Sequence, residues 1–167
     1  MAKKLTSYQD KTEAVIRENY NDIYRYCYWK TGNIADAQDI AQETFMRFIK
    51  NLPNYKDQGK PQALLYTIAR NLCANRRREK KPCPLDNYHS TEDTSSQNMI
   101  KQVEDKLLLQ RHIDDLPTEQ QEAILLRYGQ ELKINDIAAI TGTSRFVVMY
   151  RIRNALATLK KKLNQGG

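Results

Sequence analysis

The chain has 167 residues, and its 27 lysines and arginines outnumber 20 acidic side chains for a net charge of +7, so a polyanionic partner is expected. No stretch approaches the ~20 apolar residues of a membrane span, and the opening MAKKLTSYQDKTEAV carries charge but no apolar signal core. Three cysteines without paired spacing, with only His89 and His112 beside them, suggest neither a disulfide framework nor a metal site; a cytoplasmic protein with reduced thiols and no cofactor is expected. The charge is unevenly spread: residues 1–80 carry a net +6, residues 81–111 a net −1 and residues 112–167 a net +2.

Helical periodicity begins early. Val15, Ile16, Asn19, Tyr20, Ile23, Tyr24, Cys27 and Tyr28 share one face, with Asn19 the strongly polar member. The aromatic run Tyr24, Tyr26, Tyr28 and Trp29 reads as core and rim packing. Thr31-Gly32-Asn33 breaks that helix. A second is predicted from about Ile34 to Lys50, with Asn33 as its N-cap. Its core stripe is Ala37, Ile40, Ala41, Phe45, Phe48, Ile49 and Leu52. A second stripe, Asp39, Gln42, Glu43, Met46 and Lys50, is by pattern alone either a solvated face or a docking face.

Residues 53–60 form a polar loop, and Pro61 suits the first turn of a third helix burying Leu65, Ile68, Ala69 and Leu72. That helix ends in Arg76, Arg77, Arg78, Lys80 and Lys81. Cations complement a helix C-terminus, which accounts for one or two of them; a phosphate-binding strip is the sharper alternative for five. From Pro82 the composition turns to Pro, Ser, Thr and acidic residues, the signature of an interdomain linker, and helices resume near Met99.

The strongest local signal follows. A short helix Asn135–Ile140, the turn Thr141-Gly142-Thr143-Ser144 and a long helix to about Leu163 have helix-turn-helix spacing. Gly142 can end the first helix in the left-handed conformation, and Ser144 can cap the second. Val148, Ile152, Ala155, Leu159 and Leu163 should pack inward against Ile137 and Ala138. Arg145, Phe146, Met149, Tyr150 and Arg153 then face outward in the first three turns, where a recognition helix meets base edges. The bland alternative is a helical hairpin, though a solvated face seldom carries a Phe-Met-Tyr group.

Three segments in order resemble extracytoplasmic-function (ECF) sigma factors of bacterial RNA polymerase. Asp36-Ala37-Gln38-Asp39-Ile40-Ala41-Gln42-Glu43-Thr44-Phe45 is similar to the family helix that binds the β′ coiled coil. Leu65-Tyr66-Thr67-Ile68-Ala69-Arg70-Asn71, with Arg78 after it, is similar to the promoter-melting and minus-ten segment. Leu116-Pro117, Arg127-Tyr128 and Asp136-Ile137-Ala138 open a stretch similar to the minus-thirty-five domain, with Val148, Arg151, Ile152 and Ala155 in register. Leu64 stands where the family usually has Trp, Asn75 where Asp is frequent, Lys133 at a usual hydroxyl N-cap, and Met149 and Asn154 at positions often basic.

The resemblance implies an all-α chain of two small helical domains joined by a flexible linker: residues 1–81, the acidic linker 82–104, and 105–167 with the helix-turn-helix. It implies an alternative sigma factor, not an enzyme, that binds core polymerase through Asp39, Gln42 and Glu43. The minus-ten region would meet Tyr55, Asp57, Gln58, Asn71, Asn75, Arg76, Arg77 and Arg78. The minus-thirty-five element would meet Arg145, Phe146, Met149, Tyr150 and Arg153. Many members are held by an anti-sigma protein, but no residue here identifies one. The other function class considered is a conventional helix-turn-helix repressor or activator, which binds two half-sites as a symmetric dimer without polymerase.

Overall fold

The computed structural model describes residues 2–54, 61–79 and 97–166, and every regular element among them is helical. Seven α-helices follow in order: α1 (Ala2–Thr31), α2 (Ile34–Asn51), α3 (Pro61–Glu79), α4 (Gln97–Asp114), α5 (Thr118–Ile124), α6 (Ile134–Thr141) and α7 (Arg145–Gln165). A single 3₁₀ turn, Leu52–Asn54, extends α2, and a π turn, Leu125–Gly129, extends α5. The chain divides into two compact units, Met1–Asn87 and Tyr88–Gly167. The segment with linker composition lies mostly outside the described residues, and α4 already begins at Gln97.

The first unit packs α1, α2 and α3 against one another. Gly32 takes φ +66, and its N–H donates to the Tyr28 carbonyl at 2.8 Å, which closes α1. Asn33 is extended, and its Oδ1 accepts the Asp36 N–H at 3.0 Å, the N-cap expected from sequence. The core is Ile23 and Cys27 from α1, Ala37, Ile40, Ala41, Phe45 and Phe48 from α2, and Leu65, Tyr66, Ala69 and Cys73 from α3. Aromatic rings join the helices. Tyr26 meets Tyr66 edge-on at 5.4 Å, and Tyr20 stacks on Phe45 at 5.7 Å. Asn19 sits in this apolar face because its amide donates to the Val15 carbonyl at 2.8 Å, so its burial leaves no donor stranded.

Two expected core stripes shift. Ile49 is 44% exposed rather than core, because on a helical wheel it lies about 100° from the centre of the buried face. On α3 the buried row is Leu65, Tyr66, Ala69 and Cys73, whereas Ile68 and Leu72 are half-buried on its flank. Cys27 and Cys73 are unbridged and buried, and they hydrogen-bond each other across the α1–α3 contact. That bond, then burial, holds the Cys27 thiol far above its usual range, so it stays protonated.

The second unit is organised on α7, whose Val148, Ile152, Ala155 and Leu159 pack against α5 and α6. Ala123, Ile124, Leu126, Leu132, Ile137 and Ile140 complete the core, with Ile113 and Leu116 at its edge. The Gln121 amide nitrogen donates at 2.7 Å to both the Asp114 and Leu116 carbonyls, satisfying the turn between α4 and α5. Leu163, expected inward, is 46% exposed instead; it lies a full turn beyond Leu159, the last buried residue of α7. The turn into α6 places Glu131 at φ +54, the one positive φ outside glycine among the described residues. Arg127 Nη1 braces this turn by donating to the Leu132 carbonyl at 2.9 Å.

Candidate polymerase and promoter interfaces

On α2 the core stripe and the polar stripe lie on opposite sides of one helix. Asp39, Gln42, Met46 and Lys50 are exposed, and Glu43 is half-exposed. Arg47 Nε donates to Glu43 Oε1 at 2.7 Å, an i,i+4 pair that leaves Asp39 and Gln42 outside it. Ile49 and Met46 add apolar surface to this face. The combination offers a partner helix charge, hydrogen-bonding groups and a hydrophobic centre on a rigid support.

At the far end of α3 the structure separates the arginines. Arg77 and Arg78 are exposed, as are Asn71 and Asn75. Arg76 is different: its Nη1 donates to Asp36 Oδ1 at 2.7 Å, with the Asp36 side chain only 9% exposed. By composition Arg76 is one more cation of the run. The signal that distinguishes it is spacing, since Leu65, Ala69, Cys73 and Arg76 follow one inward row at steps of four, four and three. Tyr55, Asp57 and Gln58, proposed beside this surface, lie outside the described residues, as do Lys80 and Lys81.

The helix-turn-helix forms as the spacing requires. Gly142 adopts φ +67 at the end of α6, and the Thr143 N–H reaches back to the Ala138 carbonyl at 3.1 Å. Ser144 Oγ accepts the Val147 N–H at 3.2 Å and starts α7. Lys133, at the start of α6, makes no side-chain cap bond. With Val148 and Ile152 inward, Phe146 is 67% and Tyr150 63% exposed, and Arg145, Met149 and Arg153 are also on the surface. Arg145 lies over the Phe146 ring at 4.9 Å. Arg151, on the adjacent flank, is turned back to Glu119 of α5 at 3.3 Å.

Among the described residues no group of His, Cys, Asp and Glu could hold a metal ion, and no helix is long and apolar enough to cross a membrane. An amphipathic helix with an exposed polar stripe, and a capped helix-turn-helix with an exposed aromatic and basic face, are the arrangement of a DNA-binding transcription protein.

Comparison with known proteins bears this out. Residues 15–82 match the Sigma-70 region 2 family and residues 106–159 the Sigma-70 region 4 family. The ECF RNA polymerase sigma factor SigW of Bacillus subtilis is 34% identical, the match covering 90% of this chain and 88% of SigW. SigM of the same organism is 32% identical, over 83% of this chain and 88% of its own length. The fold is shared with RpoE of Bartonella quintana, solved with the anti-sigma factor NepR, at a TM-score of 0.73 and 18% identity, covering 91% of this chain and 96% of RpoE.

The chain belongs to the ECF sigma factors. It is an alternative sigma factor: it binds core RNA polymerase and promoter DNA and directs promoter-specific transcription initiation, a regulatory role. A conventional repressor or activator is not favoured, because the first unit matches the sigma-specific region 2 and such a regulator has no need of it.

Proposed function

We propose that the two exposed faces divide the sigma factor's work between them. Asp39, Gln42 and Glu43 of α2 engage the β′ coiled coil. Asn71, Asn75, Arg77 and Arg78, with Tyr55, Asp57 and Gln58 of the segment before α3, meet the minus-ten region, where opened DNA presents unstacked bases that need polar pockets and nearby cations. Arg145, Phe146, Met149, Tyr150 and Arg153 of α7 meet the minus-thirty-five element in the major groove. The observation that carries this division is that each face stands opposite a complete apolar core, so its polar and aromatic groups contribute little to folding and remain available for a partner.

The division of labour follows the chain, with residues 1–81 and 105–167 as the two working parts and the acidic stretch 82–104, whose last residues already belong to α4, as the connection between them. Tethered modules raise each other's effective concentration once one is bound, so neither interface has to be tight alone. The tether's negative charge keeps it off the DNA backbone. The protein acts in the cytoplasm and catalyses no reaction itself. Two solved proteins of this fold are complexed with other proteins, RpoE with the anti-sigma factor NepR and CnrH with the cytosolic domain of CnrY. We propose that this chain is likewise held by an anti-sigma protein.

Run-off transcription with purified core polymerase on a library of promoter-like DNAs tests the whole assignment, and an Asp39→Lys variant tests the docking stripe. Asp39 is exposed, so reversal of its charge should leave folding within about 0.5 kcal/mol of wild type. Core capture in a pull-down should fall sharply. Unchanged capture by a folded variant would remove the stripe from the interface.

A further inference from the structure

The basic end of α3 holds three consecutive arginines, and only Arg76 is directed into the protein. It continues the buried row of Leu65, Ala69 and Cys73, and it ends on a carboxylate in the first turn of α2. The bond is short, 2.7 Å from Nη1 to Oδ1. Asp36 is itself fixed, because its N–H is held by the Asn33 cap and its side chain is buried. Asp36 stands three residues before Asp39, in the same helix as the docking stripe. Arg76 stands immediately before Arg77 and Arg78, on the helix that carries the minus-ten surface. One ion pair therefore joins the two helices close to both surfaces.

We propose that Arg76 is a positioning residue and not a DNA contact: with Asp36 it clamps the basic end of α3 to the start of α2, so that polymerase docking sets where Arg77 and Arg78 stand. The proposal rests on the assignment of α2 to polymerase and of α3 to the minus-ten region. A guanidinium that gives a donor to a buried carboxylate is held in one orientation. Removing it takes a short charge-assisted bond from a buried carboxylate, so the pairing is strongly specified. Packing of Leu65, Tyr66, Ala69 and Cys73 fixes the middle of α3. The last turn of α3 follows that buried row, and the pair ties it to α2.

A set of variants of the full chain, assembled with core polymerase, tests this. Arg76→Gln and Asp36→Asn should each slow promoter opening, read by permanganate reactivity, by roughly tenfold, the scale of one lost charge-assisted hydrogen bond. Core affinity should stay within about twofold of wild type. The double variant Asp36→Asn/Arg76→Gln strands no charge and should fold even where a single one does not. Its opening defect should be no larger than that of either single change, because the two residues act as one unit. Arg76→Lys should restore part of the rate. The salt dependence of promoter binding should keep its wild-type slope, since no phosphate contact is lost.

A slope reduced by about one unit in Arg76→Gln would make Arg76 a phosphate contact and overturn the proposal. So would wild-type opening by the folded double variant, or single effects that add. Loss of core binding in Asp36→Asn would overturn it too, as the clamp would then serve docking itself. Failure of the underlying docking assignment is separately visible, as unchanged core capture by Asp39→Lys.

Discussion

Two arginines two residues apart on α7 face different surroundings, and removing each should have a different kind of effect. Arg153 is exposed on the outer face of the helix-turn-helix. It lies eight residues after Arg145, where α7 begins, or about 12 Å along the axis at 1.5 Å per residue. The major groove is about 12 Å wide, so an arginine at that distance still lies within the groove of a helix entering by its N-terminus. A bidentate arginine–guanine contact discriminates by roughly 1–3 kcal/mol, or about 5- to 150-fold. Arg153→Ala should therefore relax preference at one base pair by that factor and leave folding within about 0.5 kcal/mol of wild type.

Arg151 has an 18% exposed side chain and sits 3.3 Å from Glu119. Glu119 is itself largely exposed, so the pair is worth at most about 1 kcal/mol, with some stem packing added. Arg151→Ala should weaken the second unit slightly and lower binding to all upstream sequences alike. Competitive binding of holoenzyme to a library of upstream-element variants, at several salt concentrations, separates the two. If Arg153→Ala instead weakens every sequence equally and reduces the salt slope by about one unit, Arg153 touches a phosphate and its readout role is wrong.

Other perturbations have equally definite signs. Glu131 holds φ +54, where a β-carbon costs roughly 1–2 kcal/mol, so Glu131→Gly should stabilise the α5–α7 unit by about 1 kcal/mol once glycine's greater freedom in the unfolded chain is subtracted. Slower amide exchange in α5 and α7 would register this, and faster exchange would mean that the Glu131 side chain holds the turn. Replacing the exposed Arg77 and Arg78 together by Ala should abolish permanganate-detected melting at moderate salt while core capture persists; normal melting would remove them from the minus-ten surface. Burial, then Asp22 and Cys27, raises the Tyr66 hydroxyl above its ordinary 10.0, and the Cys73 hydrogen bond, then burial, raises the Cys27 thiol above its ordinary 9.0. The unfolded chain ionises first, so this stability is complete below about pH 9 and is lost as pH climbs toward the folded values. Denaturant midpoints should thus decline above pH 9, and less steeply in Tyr66→Phe; an identical slope would show that Tyr66 does not drive the loss.

Most of the architecture was legible in the order of residues. Core stripes at steps of three and four place α1, α2, α3 and α7. Local chemistry marks their ends, because Asn33, Gly142 and Ser144 act through atoms within a few residues of themselves. The outward face of α7 followed from the same arithmetic: once Val148 and Ile152 are inward, Phe146, Tyr150 and Arg153 have nowhere else to go. Tertiary packing decided what periodicity leaves undetermined. Leu163 fits a helical stripe, yet it is exposed because burial also needs a neighbouring helix at that height, and Ile49, at the margin of its stripe, is exposed too. Spacing after Cys73 turns Arg76 inward, but only the approach of α2 puts a carboxylate within 2.7 Å of it. Forty residues separate Asp36 from Arg76. A pairing at that range depends on how two helices cross, and one-dimensional spacing carries no record of the crossing.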